Sequence, residues 1–149
     1  MKRLAKHLAA MLTLLGTTAA TAQAQTVPDL KGTWTGKGKS VVFGTHPHHP
    51  GQSGAADTPR VRDIEARHVV TGQDGRLAWG HSSSAVADTK EPFAWAISRD
   101  NRTIVGSDMD GYFRITLISA NRMEKCYTHA GVSPSKSVVA TCYVMDRKK

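Results

Sequence analysis

Residues 112–129 read YFRITLISANRMEKCYTH, and this stretch decides the fold. Phe113, Ile115 and Leu117 fall on one side of a two-residue period, the spacing of an extended strand. Ala120-Asn121 interrupts the run as a tight turn. Arg122 to His129 then resumes the same period, with Met123, Lys125 and Tyr127 sharing a side. Two such runs joined by a short turn read as an antiparallel hairpin.

The pattern extends in both directions. Upstream lie Lys31–Phe43, Val61–Thr71, Arg76–Ser83, Phe93–Ser98 and Arg102–Ser107, and downstream lies Ser137–Met145. Ile64, Ala66, His68 and Val70 share one side of the second run. Leu77, Trp79 and His81 do so in the third, and Phe93, Trp95 and Ile97 in the fourth. Gln73-Asp74-Gly75, Arg99-Asp100-Asn101 and Asp108-Met109-Asp110-Gly111 are turn sequences, glycine supplying the positive φ that tight turns need. Longer loops cover 44–59, with three prolines and three glycines, and 84–91, ending at Pro92. No segment after residue 30 has a helical period. About eight strands in immediate succession pair most simply with their sequence neighbours, and closure removes the exposed edges. The sequence therefore predicts an all-β domain, a single antiparallel up-and-down barrel of about eight strands, with a two-sheet β-sandwich as the alternative.

The two cysteines supply a check. Cys126 and Cys142 stand symmetrically about Pro134, in the loop between the last two runs. Symmetric positions of an antiparallel hairpin face each other, at a separation close to what a disulfide needs. A structural Cys126–Cys142 disulfide is expected.

The amino terminus has the charge order of a secretory signal peptide: Lys2, Arg3 and Lys6, an apolar run from Leu8 to Leu15, then small residues ending Ala22-Gln23-Ala24. The apolar run is shorter than the about 20 residues that span a bilayer. The expected division is a signal peptide over 1–24 and a barrel domain over 25–149, in a periplasmic or secreted protein. The formal charge of +8 falls when Lys2, Arg3 and Lys6 leave. The remaining surplus is interleaved with acids, as in Arg62-Asp63 and Glu124-Lys125, unlike the clustered basic face of a nucleic-acid protein. Neither a nucleic-acid partner nor a membrane span is expected.

Residues 29–36, Asp-Leu-Lys-Gly-Thr-Trp-Thr-Gly, carry a family likeness. The Gly32-Thr33-Trp34 triplet resembles the Gly-x-Trp that opens the first strand of lipocalins and avidins, the calycin barrels. In those families the tryptophan closes the bottom of the barrel, which the resemblance implies for Trp34. The later motifs of both families are absent here, so no ligand is carried over.

Candidate chemistry centres on the aromatic residues of the expected interior. Trp79, Trp95, Phe93 and Phe113 share the apolar sides of their strands, and Tyr127 and Tyr143 share a side if the cysteines face outward. An eight-stranded barrel either fills its interior with such residues or holds one small ligand among them. His81, Ser83, Lys125 and Tyr127 would supply polarity, and an inward Lys125 is costly without an anion or partner. The reading is a non-catalytic binding module for a small, partly apolar or weakly anionic ligand, with Trp79, His81, Trp95, Lys125, Tyr127 and Tyr143 as its contacts. Two other readings stay open. One is a protein–protein or inhibitor module facing an envelope protein through loop 44–59. The other is metal binding by His46, His48 and His49, imidazole being a common ligand for zinc, copper and nickel. His68 and His81 are a further pair that adjacent strands could bring together. Asp108-x-Asp110-Gly111 resembles a piece of a calcium loop but lacks the distal glutamate, so a turn explains it. Serine-nucleophile and phosphate-loop motifs are absent, and no cofactor is implied.

Overall fold

A computed structural model describes residues 26–44, 57–84, 87–130 and 137–149. Its elements are β1 (Gly32–Gly44), β2 (Arg60–Asp74), β3 (Leu77–Ser84), β4 (Ala87–Ile97), β5 (Thr103–Ser107), β6 (Tyr112–Ser119), β7 (Arg122–Ala130) and β8 (Ser137–Arg147). Each strand pairs antiparallel with the next, and β8 returns to β1, closing an eight-stranded barrel in sequence order. The described residues contain no helix. The sandwich alternative is thereby excluded. The signal-peptide segment 1–24 and the histidines His46, His48 and His49 lie outside the described residues. Among those described, no helix is long and apolar enough to cross a membrane.

The connections sort the two ends of the barrel. The β2–β3, β4–β5 and β6–β7 turns share one end with the lead-in to β1 and the end of β8. The remaining strand ends, with the β5–β6 turn, lie at the opposite end, here termed the mouth. At the closed end the segment before β1 packs as a plug. Leu30 and Trp34 are fully buried. The indole N–H of Trp34 donates to the Leu30 carbonyl at 2.9 Å, and the Arg147 guanidinium lies 4.7 Å from the Trp34 ring centre. Gln73 at the β2–β3 turn accepts from the Leu30 N–H at 2.8 Å and donates to the Pro28 carbonyl at 2.9 Å. This satisfies backbone groups that the plug would otherwise bury unpaired. Trp34 thus occupies the position that the Gly-x-Trp likeness implies.

Side-chain alternation follows the expected faces in β2, β4 and β6, and in β7 it places Met123 inside. Val70, Phe93, Trp95, Ile97, Phe113, Ile115, Leu117 and Met123 are buried inside. In β3 the expectation is inverted. Ala78 is buried, whereas Leu77 and Trp79 are exposed, Trp79 by 48%. The reason is steric. Ala78 stands opposite Trp95 and Gly80 opposite Phe93, so the inner wall needs small residues where β4 projects its two largest rings. Trp79 packs on the outside over Gly72, where an added Cβ would lie 2.4 Å from the ring. A bulge in β2 between Val70 and Gly72 accompanies this packing.

A second difference concerns the segment 84–91, which is largely strand: β4 begins at Ala87, and Pro92 pairs with His81 inside it. Pro92 stands past the last β4–β5 pair, Ala94–Ser107, where the strand has an open side for a residue without an N–H. The segment 108–111 is a turn. The Asp108 carboxylate accepts from the N–H groups of Asp110 and Gly111 at 3.0 and 2.8 Å.

Cys126 and Cys142 are directly opposed in the β7–β8 ladder and form a disulfide. Both lie on the outer side of the barrel, which sets Lys125, Tyr127 and Tyr143 inside. The loop closed is 16 residues long, for which chain entropy assigns about 3 kcal/mol. Reduction, or the double substitution Cys126→Ser/Cys142→Ser, should lower unfolding free energy in urea by about that amount with the m-value rising slightly.

Candidate functional site

The site is built from residues that no polar surface explains. Inward positions of β7 are Met123, Lys125, Tyr127 and His129, and the lysine falls among apolar neighbours. In register it stands between Ile115 of β6 and Tyr143 of β8. Lys125 is 4% exposed. Its Nζ lies 3.8 Å from the centre of the Phe113 ring, 5.6 Å from that of Tyr127 and 5.8 Å from that of Tyr143. These are cation–π distances, so three rings from β6, β7 and β8 form an aromatic cage around the amine.

The only hydrogen bond that the described residues give Lys125 reaches across the barrel, from Nζ to Nε2 of His68 on β2 at 2.6 Å. His68 is itself buried. Its ring meets Phe93, Trp95 and Phe113 edge-on, at centroid separations of 5.5, 5.9 and 6.0 Å. Phe93 and Trp95 stack at 4.3 Å. With Nε2 accepting from Lys125, the ring proton of His68 sits on Nδ1. That nitrogen and the indole Nε1 of Trp95 are both buried without a hydrogen-bond partner among the described residues. Two unpaired buried donors beside one buried amine form a costly arrangement.

Electrostatics follow from this burial. Lys125 forms no ion pair among the described residues; the pairs Lys37–Glu65, Lys39–Asp63 and Arg122–Asp146 all lie on the outer surface. Removal from water lowers the lysine from its usual value to about 7, with the Asp108 and Glu91 carboxylates partly opposing the fall. Burial first, and then the Lys125 charge, holds His68 well below the usual imidazole range. At neutral pH the pair therefore carries at most one proton beyond neutrality, on Lys125. Burial and the carboxylate of Asp108 push the phenols of Tyr127 and Tyr143 upward, so both are neutral hydroxyls.

Towards the mouth the interior becomes polar. His129 donates from Nδ1 to the Asp110 carbonyl at 2.5 Å and accepts at Nε2 from the Ser137 hydroxyl at 2.9 Å. Gly111 lies against Tyr127, where a Cβ would come within 2.6 Å of the ring. Gly106 serves Trp95 in the same way. A Cβ there would meet the Ala94 carbonyl at 2.4 Å and Cδ1 of Trp95 at 2.5 Å. Gly106→Ala should therefore cost about 1–3 kcal/mol. It should also move the tryptophan emission maximum, because only a displaced Trp95 ring or a parted β4–β5 ladder can make room.

Of the residues singled out from sequence, Trp95, Lys125, Tyr127 and Tyr143 come together in the interior. Trp79 and His81 do not: the β3 inversion places both on the outer face, with Ser83, and it separates His81 from the buried His68. Phe113 and His68 complete the cluster. The sequence signal for His68 is its parity with Ile64, Ala66 and Val70. The signal for its partner is the parity of Lys125 with Met123 and Tyr127. Among the described residues no group of three histidines, cysteines or carboxylates is placed to hold a metal ion.

No family model and no curated protein matches the chain. Among solved structures, the S-type phycobiliprotein lyase CPES from Guillardia theta is similar over 80% of this chain and 89% of its own, at 12% identity and a TM-score of 0.37. At that level the likeness carries no argument about ligand or activity, and the barrel stands on its own strand pairing.

Proposed function

We propose that the protein is an exported, non-catalytic binder of a small, partly apolar ligand, taken into the barrel from the mouth. Lys125 would be its polar anchor. The observation that carries this reading is the aromatic cage around a buried lysine that forms no ion pair among the described residues. A buried amine beside two unpaired N–H groups weakens a fold, and it is explained if a ligand oxygen accepts from them. Phe93, Trp95, Phe113 and Tyr143 supply apolar surface, and Tyr127 borders the mouth side. The carboxylates of Glu91 and Asp108, close enough to raise the lysine's affinity for its proton, disfavour a full anion and favour a neutral or weakly acidic ligand.

Tryptophan emission tests the reading, since Trp95 lies in the cluster. The purified protein is titrated with aliphatic and aromatic alcohols, ketones and carboxylic acids. At least one class should change the emission saturably, and Lys125→Met should weaken that ligand at least about tenfold, the equivalent of one charge-assisted hydrogen bond. An unaltered spectrum with every class, or equal affinity in Lys125→Met, would refute it.

A further inference from the structure

Three features of the Lys125 site exceed what reversible anchoring needs. The amine is held against an imidazole nitrogen rather than a carboxylate, at 2.6 Å. The imidazole is itself enclosed, with its far nitrogen unpartnered among the described residues. The groups in contact with the amine are rings and neutral phenols, the Asp108 and Glu91 carboxylates act on it without forming an ion pair, and no ion pair among the described residues holds the lysine as an ammonium. A lysine used only for a surface charge has none of these features, whereas a nucleophilic lysine needs a desolvated amine and a nearby base.

We infer that Lys125 is a covalent attachment point, condensing with the carbonyl carbon of a small apolar aldehyde to hold it as an imine inside the barrel. This rests on the binding reading above and names its ligand class. In the first step the Nζ lone pair attacks the carbonyl carbon, and a bond forms as the C=O π pair moves to oxygen. His68 Nε2 takes one proton from the nitrogen and returns it to that oxygen, giving a carbinolamine. In the second step His68 Nε2 takes the nitrogen's remaining proton and passes it to the hydroxyl, which leaves as water while the nitrogen lone pair forms the C=N bond. Aldehyde plus amine gives imine plus water, with the imidazole returned neutral and no oxidant or reductant. Water is released into an apolar cage that holds it poorly, which favours the condensed form. The N–H of Trp95, unpaired among the described residues and on the ring 5.9 Å from His68, is available to the carbonyl oxygen while it carries charge. The near-neutral titration of Lys125 supports the step, because an ordinary lysine at pH 7 is almost wholly ammonium.

The test incubates the purified chain at pH 7 with cinnamaldehyde or decanal and sodium cyanoborohydride, which traps an imine as a stable secondary amine. Peptide mapping then locates the adduct, with cinnamyl alcohol and decanol as non-condensing controls read by tryptophan emission. Lys125 should be modified at least about tenfold faster than any surface lysine, His68→Gln should slow this at least about tenfold, and excess alcohol should protect the site. Adducts spread over surface lysines, with Lys125 unmodified by both aldehydes, would overturn the inference. If the alcohols still change the emission in that case, the binding reading survives and only the covalent step falls. If neither alcohol nor aldehyde changes it, both fall. Mapping on the unaltered chain makes the result independent of whether any variant folds.

Discussion

Lys125→Met should make the protein more stable, by about 1–4 kcal/mol at pH 6, the range seen when buried ionic groups give way to apolar residues of similar volume. The sign follows from linkage. The unfolded lysine binds its proton up to about pH 10.4, and the folded one only up to about 7. Between those values the unfolded state holds one proton more, so stability rises with pH. Below about 7 both states are protonated, and the full cost of a buried charge is present. Above the unfolded value the cost is gone. The advantage of the methionine variant should therefore be greatest at pH 6, shrink steadily from pH 7 upward and nearly vanish by pH 10. His68 adds in the same direction at lower pH: its folded value is depressed, so stability is further lost as pH falls below the usual imidazole range. Urea titrations of both proteins at pH 6, 8 and 10 check this. A variant less stable than the parent at pH 6 would mean that Lys125 is held by an interaction absent from this account. Stability given up at one position for a functional group is a common pattern in binding sites.

Trp34→Ala should remove a large fraction of the fold's stability. The indole is wholly buried at the closed end, and truncating a buried tryptophan typically costs about 3–5 kcal/mol through lost apolar burial and the cavity left behind. It also strands the Leu30 carbonyl, which the indole N–H satisfies, and removes the surface on which Arg147 lies. Against a total stability of about 5–15 kcal/mol this is a large fraction, equivalent to a fall in Tm of roughly 10–20 °C. Trp34→Phe separates the two contributions. It keeps most of the ring volume and loses the hydrogen bond, so the loss should be only about 1–3 kcal/mol. Thermal unfolding followed by circular dichroism distinguishes them. Equal losses in both variants would assign the plug's stability to the hydrogen bond rather than to packing.

Eight strands, their order and the Cys126–Cys142 pairing are legible in the sequence because they rest on the two-residue period and on turn residues, which are local properties. The inner faces of β2, β4 and β6 are legible for the same reason, whereas those of β7 and β8 wait on which way the cysteines face. The inner face of β3 is not. Leu77, Trp79 and His81 alternate with Ala78, Gly80 and Ser82, and hydrophobicity alone selects the larger set. What decides the face is the neighbouring strand: Phe93 and Trp95 already fill the space, and only alanine and glycine fit opposite them. Cross-strand complementarity of this kind is visible only once the register is known. The candidate site divides in the same way. Parity places Trp95 inside, it places Lys125, Tyr127 and Tyr143 inside once the cysteines are set outward, and it puts Trp79 and His81 on the wrong side of the wall. The His68–Lys125 contact joins strands that are distant around the barrel, across 57 residues of sequence, and no local pattern announces it.

The proposed anchor is an amine shut inside the barrel and half-deprotonated near neutrality. A pH titration of the lysine side chains by carbon NMR, with the Lys125 Cε signal assigned by its disappearance in Lys125→Met, measures that property directly. One lysine should titrate with a midpoint near 7, apart from the others clustered near the usual value of about 10.4. If the Lys125 signal instead moves with that cluster, the lysine is solvated or paired, and the proposed ligand anchor is contradicted.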